Sequence, residues 1–295
     1  MPLNLAEPHR AAFVDVNRTR IRLWEWGRPG DPVVLLLHGG WDHGRMWDGL
    51  APEVAALGFH VVVPDARGHG DSGRLSLSGA FWPMFLLDLA GIVEQRGASP
   101  VRVAGHSFGG GLTLAFTSAF PELVERAVNI DGLGPPPEMM LVQDHAAMAA
   151  QWLADADRLA TERQREYPTQ EEMAEKRKAI NTRLPLEWCE HLVRHGTRPG
   201  PGGGWIWKSD PNFRLGSPGP FTEETLLASY RAIRRPVLVL TGREPDQWSF
   251  LTAADRDRRL DAIGDVAHHT VAGAGHYVHV ERTDAVVEHM ASFFS

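Results

Sequence analysis

Ser107 sits at the centre of Gly105-His106-Ser107-Phe108-Gly109, behind the β-branched run of Val101 and Val103 and ahead of an apolar stretch from Leu112 to Phe120. A serine on a sharp strand-to-helix turn holds its Oγ clear of the backbone. Small residues two positions to either side let the chain turn that tightly. A helix beginning at such a turn also aims its free N–H groups at any oxyanion formed beside the serine. The chemistry this suits is acyl transfer, which needs a base, a carboxylate to orient the base, and N–H donors for the oxyanion. The bland alternative is a glycine-rich turn whose serine is incidental, and the strand-and-helix context weighs against it.

Fourteen histidines compete for the part of the base, and position along the chain separates them. His276 closes Ala272-Gly273-Ala274-Gly275-His276, a glycine-loosened loop after the last strand-like run and before the last helix-like one. That places an imidazole at the strand ends, where Ser107 is also expected. His106, adjacent to the serine, is expected to point away from it, and His38 to brace its own loop by hydrogen bonding. Leu35-Leu36-Leu37-His38-Gly39-Gly40-Trp41 reads as a strand running into a glycine turn whose backbone can approach a substrate closely. The backbone N–H groups of Gly40 and Phe108 are the expected oxyanion donors.

The elements that must carry these residues follow from apolar periodicity. Phe13–Val16 and Ile21–Trp26 flank a turn at Asn17-Arg18 and read as an antiparallel hairpin. Val33–Leu37, Val61–Val63, Val101–Ala104, Ala127–Ile130, Val237–Leu240 and His269–Val271 are short runs suited to a parallel sheet buried on both faces. Helical patterns at Met46–Leu57, Phe81–Gln95, Leu112–Val128 in part and Asp284–Phe294 alternate with them. Such alternation predicts a parallel α/β sheet, with ligands at the carboxyl ends of its strands.

The alternation breaks between about Gly134 and Arg235. This stretch is charge-rich and helical, opens at Pro135–Pro137, contains the loop Pro199–Gly204, and carries a capping-box pattern at Thr169-Gln170-Glu171-Glu172. Inserted between two strands of one sheet, it is expected to form a helical cap over the strand ends. Trp152, Trp188, Trp205 and Trp207 favour a packed unit over a loose excursion.

Composition excludes other classes. The net charge of −7 comes from interspersed signs, so no basic face argues for nucleic acid. Cys189 is the single cysteine, which excludes an internal disulfide and fits a reducing compartment. Met1–Arg10 has no apolar signal core, and no run approaches 18 apolar residues, so a soluble cytoplasmic protein with no membrane partner is expected. His191 and His195 have the i, i+4 spacing of a zinc pair, yet Leu192 stands where a metalloprotease has glutamate and no third ligand is evident, so no metal is expected. Gly105–Gly111 has serine at the second glycine of a dinucleotide fingerprint. Pro199–Gly204 lacks the strand and the Lys-Ser/Thr of a phosphate loop. No cofactor is expected.

Taken together, His38-Gly39-Gly40-Trp41, Asp65-Ala66-Arg67-Gly68-His69-Gly70-Asp71-Ser72, Gly105-His106-Ser107-Phe108-Gly109 and Gly273-Ala274-Gly275-His276-Tyr277 resemble the motifs of the α/β-hydrolase superfamily. The resemblance implies a mostly parallel eight-stranded sheet flanked by helices, with a helical cap inserted after the sixth strand. The core would be 1–133 and 235–295, and the cap 134–234. It also implies a catalytic acid, and here the chain departs from the pattern. The family's usual Gly-x-x-Asp after Val237–Leu240 reads Gly242-Arg243-Glu244-Pro245-Asp246, with proline where aspartate belongs. Other members place the acid after the preceding strand, where this chain has Asp131. Asp246, Asp131 and Glu244 therefore all stand as alternatives.

The implied activity is hydrolysis of a small carboxylic ester or lactone through an acyl-enzyme on Ser107. A carbon–carbon bond hydrolase of the same fold is an alternative, disfavoured slightly because Tyr277 stands where those relatives commonly have tryptophan. A non-catalytic small-molecule binder is the competing class. Serine as nucleophile argues against the superfamily's epoxide hydrolases and haloalkane dehalogenases, which need a carboxylate. Trp41, Phe108, Trp82, Met139, Met140, Leu141 and Tyr277 are the expected substrate-binding residues, and the sequence is silent on oligomeric state.

Overall fold

The structure, a computed structural model, describes residues 5–75, 81–97, 99–140, 145–216 and 221–295. Ten strands and ten helices are named in chain order. The strands are β1 Arg10–Val16, β2 Thr19–Trp26, β3 Val33–Leu37, β4 His60–Pro64, β5 Val101–His106, β6 Val124–Ile130, β7 Thr197–Pro199, β8 Trp205–Trp207, β9 Val237–Gly242 and β10 Val266–Val271. The helices are α1 Ala51–Ala56, α2 Trp82–Arg96, α3 Phe108–Ala119, α4 His145–Thr161, α5 Gln170–Ile180, α6 Leu186–Gly196, α7 Glu223–Arg231, α8 Ala253–Asp261, α9 Val278–Glu281 and α10 Thr283–Phe294.

Eight strands form one sheet in the order β1-β2-β4-β3-β5-β6-β9-β10. The β1/β2 and β2/β4 pairs are antiparallel, and every later pair is parallel. The Asn17-Arg18 turn has positive φ at both residues, 44° and 58°, the twist that a tight hairpin requires. The central runs face two cores. Val33, Leu35 and Leu37 pack with α2 and α3, while Val34 and Leu36 pack with α1 and α10. Alternate residues of one strand thus bury on opposite faces, which is why these runs read as continuously apolar.

Several boundaries differ from the sequence expectation. Met46–Leu57 is not one helix: a 3₁₀ turn at Gly44–Trp47 is followed by α1, and Pro52 in the first turn of α1 cannot continue a helix from upstream. The third helix starts at Phe108, immediately after the serine, rather than at Leu112. Thr169 caps α5 by accepting from the Glu172 N–H at 3.2 Å. The loop Pro199–Gly204 is the tip of an unforeseen hairpin, β7–β8, too short to show a period.

Between β6 and β9, α5, α6 and the segment after the hairpin lie against loops that follow strand ends. Asp210 N–H donates to the Gly68 carbonyl at 2.7 Å, and Trp248 Nε1 to Asn181 Oδ1 at 3.0 Å. The insert has its own apolar cluster of Met173, Leu184, Trp188, Cys189, Leu192 and Val193, joined by Met46 and Tyr277 from the core. Helix α7 packs differently. Leu226 and Tyr230 belong to the main core cluster, and Tyr230 Oη donates to the Leu133 carbonyl at 3.1 Å. Among the described residues no helix is long and apolar enough to cross a membrane.

Candidate active site

Strand β5 delivers Ser107 to the carboxyl edge of the sheet at φ 53°, ψ −116°, a backbone region L-residues rarely occupy. The turn is held because its surroundings leave no alternative. A Cβ on Gly105 would lie 2.1 Å from the Gly109 carbonyl oxygen, and one on Gly109 would lie 2.1 Å from that of Leu37. Ser107 N–H donates to Ile130 O at 3.0 Å, and its own carbonyl accepts from Gly111 N–H at 3.0 Å. Helix α3 begins at the next residue, so its first N–H groups face the serine's side of the turn.

Strand β3 brings the glycine turn alongside. His38 donates from Nδ1 to the Gly39 carbonyl at 2.7 Å and accepts at Nε2 from Ala66 N–H at 3.0 Å, which fixes its neutral tautomer. Burial pushes its pKa down to about 4. Beyond Gly40, Trp41 takes φ 66°, and its N–H reaches His69 Nε2 at 3.4 Å. His69 is buried and pushed down to about 3. The loop after β4 is fixed by Asp65, whose carboxylate accepts from Gly44 N–H at 2.6 Å, Asp71 N–H at 2.8 Å and Trp24 Nε1 at 3.1 Å. Burial pushes Asp65 up to about 6, against those bonds.

His276 lies in the loop after β10, and the three acids sort themselves around it. Asp131 Oδ2 is 2.6 Å from His276 Nδ1, a short charge-assisted geometry that leaves Nε2 to take up a proton. Asp246 does not reach the ring. Its Oδ2 accepts the His276 backbone N–H at 3.2 Å, and its Oδ1 accepts Trp248 N–H at 2.9 Å. Glu244 accepts the Gly273 N–H at 3.0 Å. Two acids thus hold the backbone of the histidine loop and the third holds its imidazole. Pro245 shifts Asp246 by one residue from the usual pattern, which fits its turning onto the backbone. Asp131 is turned inward by a left-handed φ of 47°, locked by Asn129, whose side chain bonds both the N–H and the carbonyl of Gly132 at 3.0 Å. That asparagine escaped the sequence reading, although a buried amide two residues before a Gly-containing turn was its signal.

His106 does not face the solvent side of the turn. Its Nε2 donates to the His276 carbonyl at 3.0 Å, its ring lies 4.6 Å from that of His276, and burial holds it neutral. The residue before the serine is therefore bonded to the histidine loop.

An aromatic cluster stands beside the glycine turn. Phe213, from a 3₁₀ turn of the insert, lies edge-on to Trp41 at 5.0 Å and to Phe108 at 5.1 Å, and Trp82 meets Phe108 at 5.3 Å. Phe213 was missed because nothing local in Pro211–Leu215 marks it. Of the other expected pocket residues, Met139 is exposed, while Met140 is buried in the main core, and Tyr277 is buried against the insert's own cluster. Leu141 lies outside the described residues.

His191 and His195 do meet a third metal-type ligand, Asp48, with ligand atoms within 4.8 Å of one another. The Arg45 guanidinium occupies that position. Its Nε and Nη2 lie 2.7 and 2.6 Å from Asp48 Oδ2, and Nη1 lies 3.2 Å from His195 Nδ1. A fixed cation among the donors disfavours a second one.

With the geometry in view, comparison defines the class. The chain belongs to the alpha/beta hydrolase family, whose model matches residues 34–289, and it is an enzyme of that fold. It is 26% identical over 279 residues to a probable serine hydrolase of Drosophila melanogaster, covering 91% of this chain and 82% of that one. A stretch of 98 residues is 38% identical to epoxide hydrolase A of Mycobacterium tuberculosis, covering 33% of this chain and 30% of that protein. In structure it is similar to the thioesterase domain from the curacin biosynthetic pathway, with a TM-score of 0.84 at 23% identity over 96% of this chain and 99% of the other.

Proposed function

We propose that the protein hydrolyses a small carboxylic ester or lactone through an acyl-enzyme on Ser107, with His276 as base and then acid and Asp131 as its orienting carboxylate. The observation that carries this is the 2.6 Å bond from Asp131 to His276 Nδ1, made beside a serine held on a strained turn. Nε2 takes the Ser107 proton as Oγ attacks the carbonyl carbon. The developing oxyanion is received by the Gly40 and Phe108 N–H groups. Collapse expels the alcohol, which takes its proton from Nε2, and water repeats the sequence in reverse order. Residues 134–234, helix α7 excepted, act as the cap, and Trp41, Trp82, Phe108 and Phe213 form an aromatic wall beside the glycine turn.

A relative described as a serine hydrolase over most of the chain supports this reading. The epoxide hydrolase likeness is partial, and Ser107 cannot form the alkyl-enzyme ester that a carboxylate nucleophile forms. A panel of p-nitrophenyl esters of rising acyl length with a set of lactones tests the proposal. Turnover with a pre-steady-state burst, abolished in Ser107→Ala, is the expected result. Equal activity in Ser107→Ala would refute it.

A further inference from the structure

The turn that carries the Gly40 N–H has too few contacts of its own to explain its shape. It spans Gly39 to Asp42, closed by Asp42 N–H donating to Gly39 O at 3.3 Å, and passes through Trp41 at φ 66°. Strain of this kind persists only where neighbours over-determine it. Two of those neighbours come from the insert, 135 and 149 residues away in sequence. The Asp42 carboxylate, 2% exposed, is paired with Arg177 of α5, and the next residue, His43, donates from Nε2 to the Leu192 carbonyl of α6 at 2.9 Å.

The Asp42–Arg177 pair is an expensive way to gain stability. Both charges leave water, and buried pairs of this kind are often replaced by apolar residues without loss. Burial raises the Asp42 carboxyl against the pull of Arg177, and Arg177 Nε is buried with no hydrogen-bond partner. What the pair supplies is a fixed direction. Arg177 Nη2 donates to Asp42 Oδ1, a charge-assisted bond that holds one oxygen of a buried carboxylate toward α5. Asp42 lies two residues beyond Gly40, on the far side of the strained Trp41, so fixing its carboxylate fixes the orientation of the Gly40 peptide.

We propose that Arg177, acting through Asp42, is a positioning residue for the oxyanion turn, so that docking of α5 aligns the Gly40 N–H for the transition state. This rests on the acyl-transfer reading given above. Neither residue touches the reacting atoms. Their effect is therefore expected in turnover rather than in substrate binding, since a displacement of about 1 Å at a catalytic group can cost on the order of 10²-fold.

The test uses the full chain and its Asp42→Asn, Arg177→Met, Arg177→Lys and doubly substituted Asp42→Asn/Arg177→Met variants. Active sites are counted by the end-point stoichiometry of fluorophosphonate labelling at Ser107. Against a p-nitrophenyl ester, kcat per labelled serine is expected to fall by about 10- to 100-fold in each neutral single variant, part of what losing a whole oxyanion donor costs. KM should stay within about threefold, and the double variant should be no slower than the slower single one. Affinity for an aryl boronic acid, which places a tetrahedral oxygen at the oxyanion site, should fall in parallel with kcat/KM. Arg177→Lys keeps the charge on a shorter, more strongly hydrated head, and should lose about 5- to 20-fold even where the neutral variants fail to fold. Unchanged kcat per labelled serine and unchanged boronate affinity, with only a lowered melting temperature, would overturn the proposal. Absence of label at Ser107 in the native chain would instead refute the hydrolase reading beneath it.

Discussion

Replacing Asp131 by asparagine should separate the acids more sharply than any other single change. Asparagine preserves volume but presents either an amide N–H or a neutral oxygen to His276 Nδ1, now 2.6 Å from a carboxylate oxygen. An amide N–H facing Nδ1 forces the proton onto Nε2, the nitrogen that must be bare to accept from Ser107. A wrong tautomer of this kind costs about 10⁴ in turnover, or about 5.4 kcal/mol at about 1.36 kcal/mol per decade. Asp246→Asn differs because Asp246 accepts the His276 and Trp248 backbone N–H groups, and an asparagine oxygen still accepts one of them. Its loss should approach that of one hydrogen bond, about 1 kcal/mol or under tenfold. Saturation kinetics with a p-nitrophenyl ester, normalised to labelled serine, would show the two variants about 10³-fold apart. A larger loss in Asp246→Asn, or mild and equal losses in both, would refute the assignment of Asp131.

Gly105→Ala and Gly109→Ala each drive a Cβ to 2.1 Å from a backbone oxygen, and should cost more than about 3 kcal/mol, whereas Gly264→Ala meets nothing within 4 Å and should stay within about 0.5 kcal/mol by urea unfolding. Arg259 is fully buried, bonded to Glu223 and to the Leu133 and Pro135 carbonyls, so Arg259→Met should cost about 1–3 kcal/mol by leaving the Pro135 carbonyl unpaired and Glu223 and Leu133 each with one partner fewer. Acid should destabilise the fold early. His38, His69, His195 and His279 are held at about 4, 3, 4 and 3 against an ordinary 6.5, and burial pushes His43 and His106 down as well, so as pH falls below 6.5 the unfolded chain takes up protons that the folded chain refuses. Asp65, raised to about 6, binds a proton in the folded state first and offsets one of these between pH 6 and 3.8, and Asp42 and Asp88, also raised by burial, act in the same sense. The lowered histidines outnumber the raised carboxylates, so stability should fall as pH drops from 6.5 toward 4, and a flat melting temperature from pH 7 to 5 in calorimetry would contradict it.

Whatever depends on local pattern was legible in the chain. The doubly buried strands announced themselves as short apolar runs, and Ser107, His276 and the Gly39-Gly40 turn lie in glycine-bearing motifs, of which Gly105 and Gly109 are dictated by backbone clashes. What depends on meetings between distant segments was not. Asp131 and Asp246 are both acids after neighbouring strands, and only the left-handed turn at Asp131, locked by Asn129, decides which faces the imidazole. Phe213 and Arg177 come from an insert whose helices carry no family pattern, so their contacts with Trp41 and Asp42 could not be read from spacing. Met140 had the composition of a pocket residue and the position of a core one. Helix α7 belongs with the sheet because Tyr230 and Leu226 face α3, a matter of packing that charge content in the insert concealed.

The central claim is that Ser107 carries the acyl group. Peptide mapping by mass spectrometry after rapid quench of the enzyme with a slowly deacylating aryl ester tests it most directly. The account predicts an acyl mass increment on the peptide containing Ser107, near one equivalent in Asp131→Asn at long times and absent in Ser107→Ala. An increment located elsewhere, or turnover with no covalent species in any variant, would contradict it.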